Sequence, residues 1–127
     1  MTAACVLVVE DNPKNLKLLR DVLDHSGYHV VAATTGEDGA RLAGEVEPDL
    51  ILMDLQLPGI DGTEALRRIR STAQGASVPV LAVTAFAMDA DRNRALDHGF
   101  DGYVQKPLSV RDLLRQVRDL LNRGRPG

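Results

Sequence analysis

Four apolar runs in this 127-residue chain each give way to side chains able to do chemistry. CVLVV is followed by Glu10 and Asp11, LILM by Asp54, LAV by Thr84 and YVQ by Lys106. Singly, each has an ordinary reading. An acid after a strand is most often a helix cap or a solvated loop residue, a threonine there a hydroxyl bonded to backbone, a lysine a surface charge. Five such residues at the ends of four strands point instead to a shared site. Three carboxylates converging on one spot repel one another and raise each other's proton affinity, so something positive must compensate. A hard divalent cation suits such a set, and Mg2+ takes one or two carboxylates together with waters and a phosphate. Lys106 supplies a second positive charge. The pattern is one that would hold a dianion beside a metal.

The elements that must position these residues can be read from periodicity. Cys5–Val9 is an unbroken Val-rich run, as expected of a strand covered on both faces. Asn12-Pro13 then has the form of a cap and a first helical residue. Leu16, Leu19, Val22 and Leu23 line one face of that helix, and Gly27 closes it. His29–Ala33 is a second strand. Thr34 or Thr35 caps a helix over about Glu37–Val46 with Ala40, Leu42, Ala43 and Val46 as its apolar positions. Leu50–Met53 is the third strand, and Asp61 to Glu64 has capping-box spacing for a helix reaching about Arg70. Ser71–Ser77 reads as a polar loop, Val78–Val83 as the fourth strand, Asp89–His98 as a helix and Gly102–Gln105 as a short fifth strand. Ser109 caps a last helix in which Val110, Leu113, Leu114, Val117, Leu120 and Leu121 follow the i, i+3, i+4, i+7 template. Residues 122–127 are expected to fray.

Five alternations of strand and helix predict an α/β fold. The expected form is a flavodoxin-like (βα)5 doubly wound parallel five-stranded sheet of order 2-1-3-4-5, one domain spanning 1–127 with its core at about 5–121. Ligands bind such sheets at the carboxyl ends of the strands beside the switch in strand order, which is where the chemistry-bearing residues fall. A net charge of −3 argues against a dedicated nucleic-acid binder. No apolar stretch approaches the ~20 residues that span a bilayer, and no basic segment precedes the first apolar run as in a signal peptide. One cysteine, Cys5, excludes an internal disulfide and reads as a packed thiol in a reducing cytoplasm. His25, His29 and His98 lie near turns or strand starts and read as surface residues.

The runs VVEDNPKN, DLILMDLQLPGIDG, VLAVTAFAM and YVQKPLS resemble, in order and spacing, the motifs of response regulator receiver domains of two-component systems. The resemblance covers about Cys5 to Leu121. It implies that Asp54 is the phosphoacceptor, that Asp11 binds Mg2+ directly and Glu10 through a water, and that the backbone carbonyl of Gln56 is a further ligand, with Mn2+ as a substitute metal. It implies that Thr84 is the switch hydroxyl, Tyr103 the aromatic switch behind it, and Lys106 the lysine contacting the phosphoryl group, aimed by a cis bond to Pro107. Gln56 and Phe86 would flank the phosphoryl group and slow its hydrolysis.

The same resemblance implies a phosphorelay signalling protein that assists its own phosphorylation and dephosphorylation without being a turnover enzyme. Its partners would be a histidine kinase or histidine phosphotransfer protein, and a downstream protein. The output face would be formed by the helix at 89–98, the fifth strand and the last helix, including Phe86, Met88 and Tyr103. No DNA-binding module fits in the six residues after Leu121, so output by protein contact is expected. Arg111, Arg115 and Arg118 share one face of the last helix, a solvated face or else a dimer or partner contact. The protein is expected to be a monomer or a phosphorylation-dependent dimer. The wording VEDN, ILMDLQLP, VTAFAM and KPLSV is similar to DivK-type stand-alone regulators of cell cycle and polarity, and receivers of hybrid histidine kinases share much of it. A haloacid-dehalogenase-type phosphatase would need Asp-x-Asp, whereas Gln56 stands at the second position. A flavodoxin binding FMN would need a Ser/Thr/Gly-rich phosphate loop where Glu10 and Asp11 stand.

Overall fold

The computed structural model describes residues 3–73, 75–84, 99–106 and 109–123. The helix expected at 89–98, Phe86, Met88, His98, Pro107 with its peptide bond, and residues 124–127 lie outside the described residues. Five parallel strands, β1 (Cys5–Val9), β2 (His29–Ala33), β3 (Leu50–Asp54), β4 (Val80–Thr84) and β5 (Gly102–Gln105), form one sheet of order β2-β1-β3-β4-β5. The described helices are α1 (Pro13–His25), α2 (Gly36–Val46), α3 (Gly62–Arg70) and a C-terminal helix, Val110–Arg123.

Alternate residues of the central strands feed two separate cores, which is why these strands are apolar without a break. Leu7, Val9, Ile51, Met53, Val80 and Ala82 pack with Ala43 of α2 and Ala65, Leu66 and Ile69 of α3. Val6, Val8, Leu50, Leu52, Leu81 and Val83 pack with Leu19 and Leu23 of α1 and with Leu113, Val117 and Leu120 of the C-terminal helix. Each fully buried aliphatic side chain contributes about 1.5–3 kcal/mol.

Local chemistry sets the element ends. The Asn12 side chain accepts hydrogen bonds from the amides of Lys14 and Asn15, so α1 starts at Pro13. Thr35, rather than Thr34, caps α2, which begins one residue earlier than expected, at Gly36. Gly27 takes φ +93° just past α1, a conformation costly for any residue with a Cβ. β4 runs from Val80 to Thr84 instead of 78–83 because Pro79 has no amide to pair, although its carbonyl accepts from Ile51. β3 extends through Asp54 itself.

Other expectations need correction. Asp61 caps α3 through the Glu64 amide, but the Glu64 carboxylate does not complete a capping box; it pairs with Arg67 and Arg68, the stronger partners within reach. α2 packs through Ala43, with Ala40 and Leu42 half-buried against the same core, and Gly39 lets it approach β1 closely, since a Cβ there would lie 2.7 Å from Val9 Cγ2; Val46 is half-buried. Val110 fits the apolar template yet is exposed, because it sits in the first turn, ahead of the packed stretch. The C-terminal helix continues to Arg123, past the expected end at Leu121. Cys5 is half-buried rather than packed.

Candidate functional site

The carboxyl ends of β1 and β3, the two central neighbours, lie side by side where the strand order switches. β1 delivers Glu10 and Asp11 to this crevice, β3 delivers Asp54, and β4 ends beside them in Thr84. Glu10, Asp54 and Thr84 are buried, while Asp11 is exposed and opens the cluster to solvent. One carboxylate oxygen from each of Glu10, Asp11 and Asp54 lies within 4.8 Å of the others.

Lys106 reaches this cluster from the far side of the sheet. Its amide donates to the Thr84 carbonyl at 2.7 Å, which holds the chain after β5 against the end of β4. Its ammonium then donates to Glu10 Oε1 at 2.7 Å and to Asp54 Oδ2 at 3.0 Å. The other Asp54 oxygen, Oδ1, accepts from the Gln56 amide at 3.0 Å, which orients the carboxylate in the crevice. The Gln56 side chain is exposed. Tyr103 is half-buried on β5 and packs against the core cluster under α2 and α3. Glu10, Asp11, Asp54 and Lys106 are thus brought together, with Thr84 and Gln56 bordering them.

Three carboxylates against one ammonium leave this cluster electrostatically unbalanced. Burial, and then the hydrogen bond with Asp54, push the Glu10 carboxyl up to about 7 against the opposing pull of Lys106. Burial by itself would depress Lys106, but its bonds to Glu10 and Asp54 outweigh that and raise it, so the ammonium stays charged. The two partners of one ion pair thus respond differently. Lys106 gains from two acids, whereas Glu10 is buried, gains from one base and meets a second acid.

A metal fits these residues. Glu10 Oε2 is buried with no hydrogen-bond partner among the described residues, an expensive state for a carboxylate oxygen. The three side chains are hard oxygen donors of the kind Mg2+ takes, and the cluster carries the excess negative charge that a divalent cation would neutralise.

A second charged cluster, at the opposite end of the sheet, was not foreseen from the sequence. Arg70 donates to the carbonyls of Gly75, Val78 and Gly99 and to Asp101 Oδ2, which also accepts from the Val80 amide at 2.9 Å. This clasp ties the end of α3 to the entries of β4 and β5.

The model of the response regulator receiver domain family matches residues 6–118. The polar-differentiation response regulator DivK of Brucella ovis is 40% identical over 116 residues, covering 91% of this chain and 94% of that protein. Among solved structures, the receiver domain of sensor histidine kinase PA1611 from Pseudomonas aeruginosa PAO1 holds a magnesium ion coordinated in its active site cleft. It matches with a TM-score of 0.88 at 36% identity, over 94% of this chain and 98% of that one. Chemotaxis response regulator CheY4 of Vibrio cholerae matches with a TM-score of 0.88 at 25% identity, over 94% of this chain and 99% of that one.

Proposed function

The chain belongs to the response regulator receiver domain family, and from that premise we propose that Asp54 accepts a phosphoryl group beside a Mg2+ held by Asp11, Asp54, the Gln56 carbonyl and, through a water, Glu10. The observation carrying this reading is the Lys106 ammonium bonded to both Glu10 and Asp54, two buried members of an acidic cluster that Asp11 opens to solvent. The bound cation would stabilise charge on the transferring oxygens, and Mn2+ would serve in its place.

An Asp54 oxygen attacks phosphorus in line while the bond to the donor breaks, giving an aspartyl phosphate. With a phosphohistidine donor, the leaving imidazole keeps the bonding pair and takes a proton. A carboxylate suffices because phosphoryl transfer depends on positioning and charge more than on basicity. The Gln56 amide orients the nucleophile. Lys106 shifts its hydrogen bonding to the new phosphoryl oxygens. The Thr84 hydroxyl then turns toward that group and Tyr103 moves inward behind it, a two-state change biased by one local charge event.

The donor is a histidine kinase or a histidine phosphotransfer protein. A downstream protein reads the surface around β5 and the C-terminal helix, where Arg111, Arg115 and Arg118 are exposed. The role is that of a DivK-like stand-alone regulator in the cytoplasm, one receiver domain acting as a signalling phosphoacceptor rather than a turnover enzyme. The 36% identity to a sensor kinase's receiver favours a second reading, a receiver module within a hybrid kinase.

The test is incubation with acetyl phosphate or phosphoramidate and Mg2+, followed by intact mass. One added phosphoryl group is expected, absent without divalent metal and absent in Asp54→Asn. Unchanged labelling in Asp54→Asn would overturn the assignment.

A further inference from the structure

We propose that Gly62 is a positioning residue for the metal and phosphoryl site, its missing side chain letting α3 begin in contact with the backbone of Asp54. A Cβ at Gly62 would lie 2.5 Å from the Asp54 carbonyl oxygen and 2.9 Å from Leu55 Cα. These are backbone atoms of the acceptor residue and its neighbour, so no side-chain rotation relieves the clash. Backbone freedom is not the reason for glycine here, since Gly62 is not among the residues with positive φ. The requirement is space.

The segment 55–61 joins the acceptor strand to α3 and is closed on itself by a hydrogen bond from the Gly62 amide to the Leu55 carbonyl at 3.2 Å. Within it, the Gln56 amide holds Asp54 Oδ1, and Asp61 caps α3. Opening the contact from 2.5 Å to the 3.4 Å of ordinary van der Waals contact takes about 0.9 Å. β3 cannot yield that distance easily, because it is paired on both sides, with β1 and β4. The displacement therefore falls on the 55–61 segment and moves both the amide that orients Asp54 and the carbonyl proposed as a metal ligand. Misplacement by about 1 Å at a reacting centre can cost 100-fold in rate.

The inference rests on the metal and phosphoacceptor reading above and names a residue that reading does not use. Ordinary helix propensity makes the opposite forecast, since alanine in place of glycine in a helix is favourable by about 0.5–1 kcal/mol. The experiment titrates Mg2+ alone into Gly62→Ala and wild type by calorimetry, with thermal midpoints and Gln56 amide shifts recorded on the same metal-free samples. Gly75→Ala is the control: its Cβ would run into the Ile69 carbonyl oxygen, a backbone clash at the other end of α3. Gly36→Ala is the second probe, because its Cβ would press on the same segment from outside, 2.8 Å from the Ile60 carbonyl oxygen. It carries the test if Gly62→Ala does not fold.

The expected result is a Mg2+ dissociation constant raised at least tenfold in Gly62→Ala and raised in Gly36→Ala. Gly75→Ala is expected to lower the thermal midpoint without changing metal affinity. Metal affinity within twofold of wild type in both folded loop variants would overturn the inference while leaving the metal site standing. A wild type that takes up no Mg2+ would overturn the metal-site reading and this inference with it.

Discussion

Replacing Glu10 by glutamine should flatten the dependence of stability on pH in the metal-free protein. The Glu10 carboxyl stands at about 7 in the folded chain against 4.5 for the free group, so the folded form holds this proton more tightly than the unfolded form does. Its contribution is fully present below pH 4.5 and is lost as pH rises through 7. Two and a half pH units at 1.36 kcal/mol each come to about 3 kcal/mol, roughly 10 °C in midpoint for a domain of this size. Urea unfolding from pH 4.5 to 8 in EDTA should show wild type losing this stability and Glu10→Gln retaining it. Saturating Mg2+ at pH 8 should restore the wild type by about 2.7 kcal/mol at 100 times its dissociation constant, and restore the variant by less. Parallel stability curves for the two proteins in EDTA would show instead that burial and the neighbouring acid impose no cost on the ionised Glu10.

Three further outcomes follow from the same geometry. Lys106→Met leaves Glu10 and Asp54 without their cation, so stability at pH 8 should fall by about 3 kcal/mol and be largely recovered by Mg2+, while phosphorylation by acetyl phosphate slows; unfolding curves and labelling rates measure both. Arg70→Met removes the cation beside Asp101 and the donor to the Gly75, Val78 and Gly99 carbonyls, so chemical denaturation should show a loss of about 3–5 kcal/mol with Mg2+ affinity unchanged. Asp61→Ala removes the cap of α3 and should cost about 1 kcal/mol by chemical denaturation.

The strands were legible because burial on both faces leaves an unbroken apolar run, and alternation with helices implied a parallel sheet; the order 2-1-3-4-5 came from the flavodoxin-like architecture, not from alternation, which other doubly wound orders share. The acidic cluster was legible because each member directly follows such a run, so the strand ends carry Glu10, Asp11, Asp54 and Thr84 to one rim. Lys106 needed only the parallel pairing of β5 with β4 to arrive there. Contacts between residues distant in sequence left no comparable trace. Arg70 and Asp101 are 31 positions apart, and each looks like one more surface charge. Gly36, Gly39 and Gly62 each mark a place where one segment lies too close to another for a Cβ, which nothing in the neighbouring sequence announces. The β4 boundary was misjudged because Val78 is buried like its neighbours, and only the missing amide of Pro79 delays the pairing. Glu64 had the right spacing for a capping box, but nearby arginines competed for its carboxylate.

Phosphorylation at Asp54 can be tested by trapping the acyl phosphate where it forms. After incubation with acetyl phosphate and Mg2+, borohydride reduction converts a phosphorylated aspartate to homoserine, which peptide mass spectrometry locates. Homoserine is expected at position 54, lost without divalent metal and strongly reduced in Lys106→Met. Homoserine at position 11 instead, or an acid-labile phosphoryl group on His25 or His29 with position 54 unmodified, would contradict that assignment.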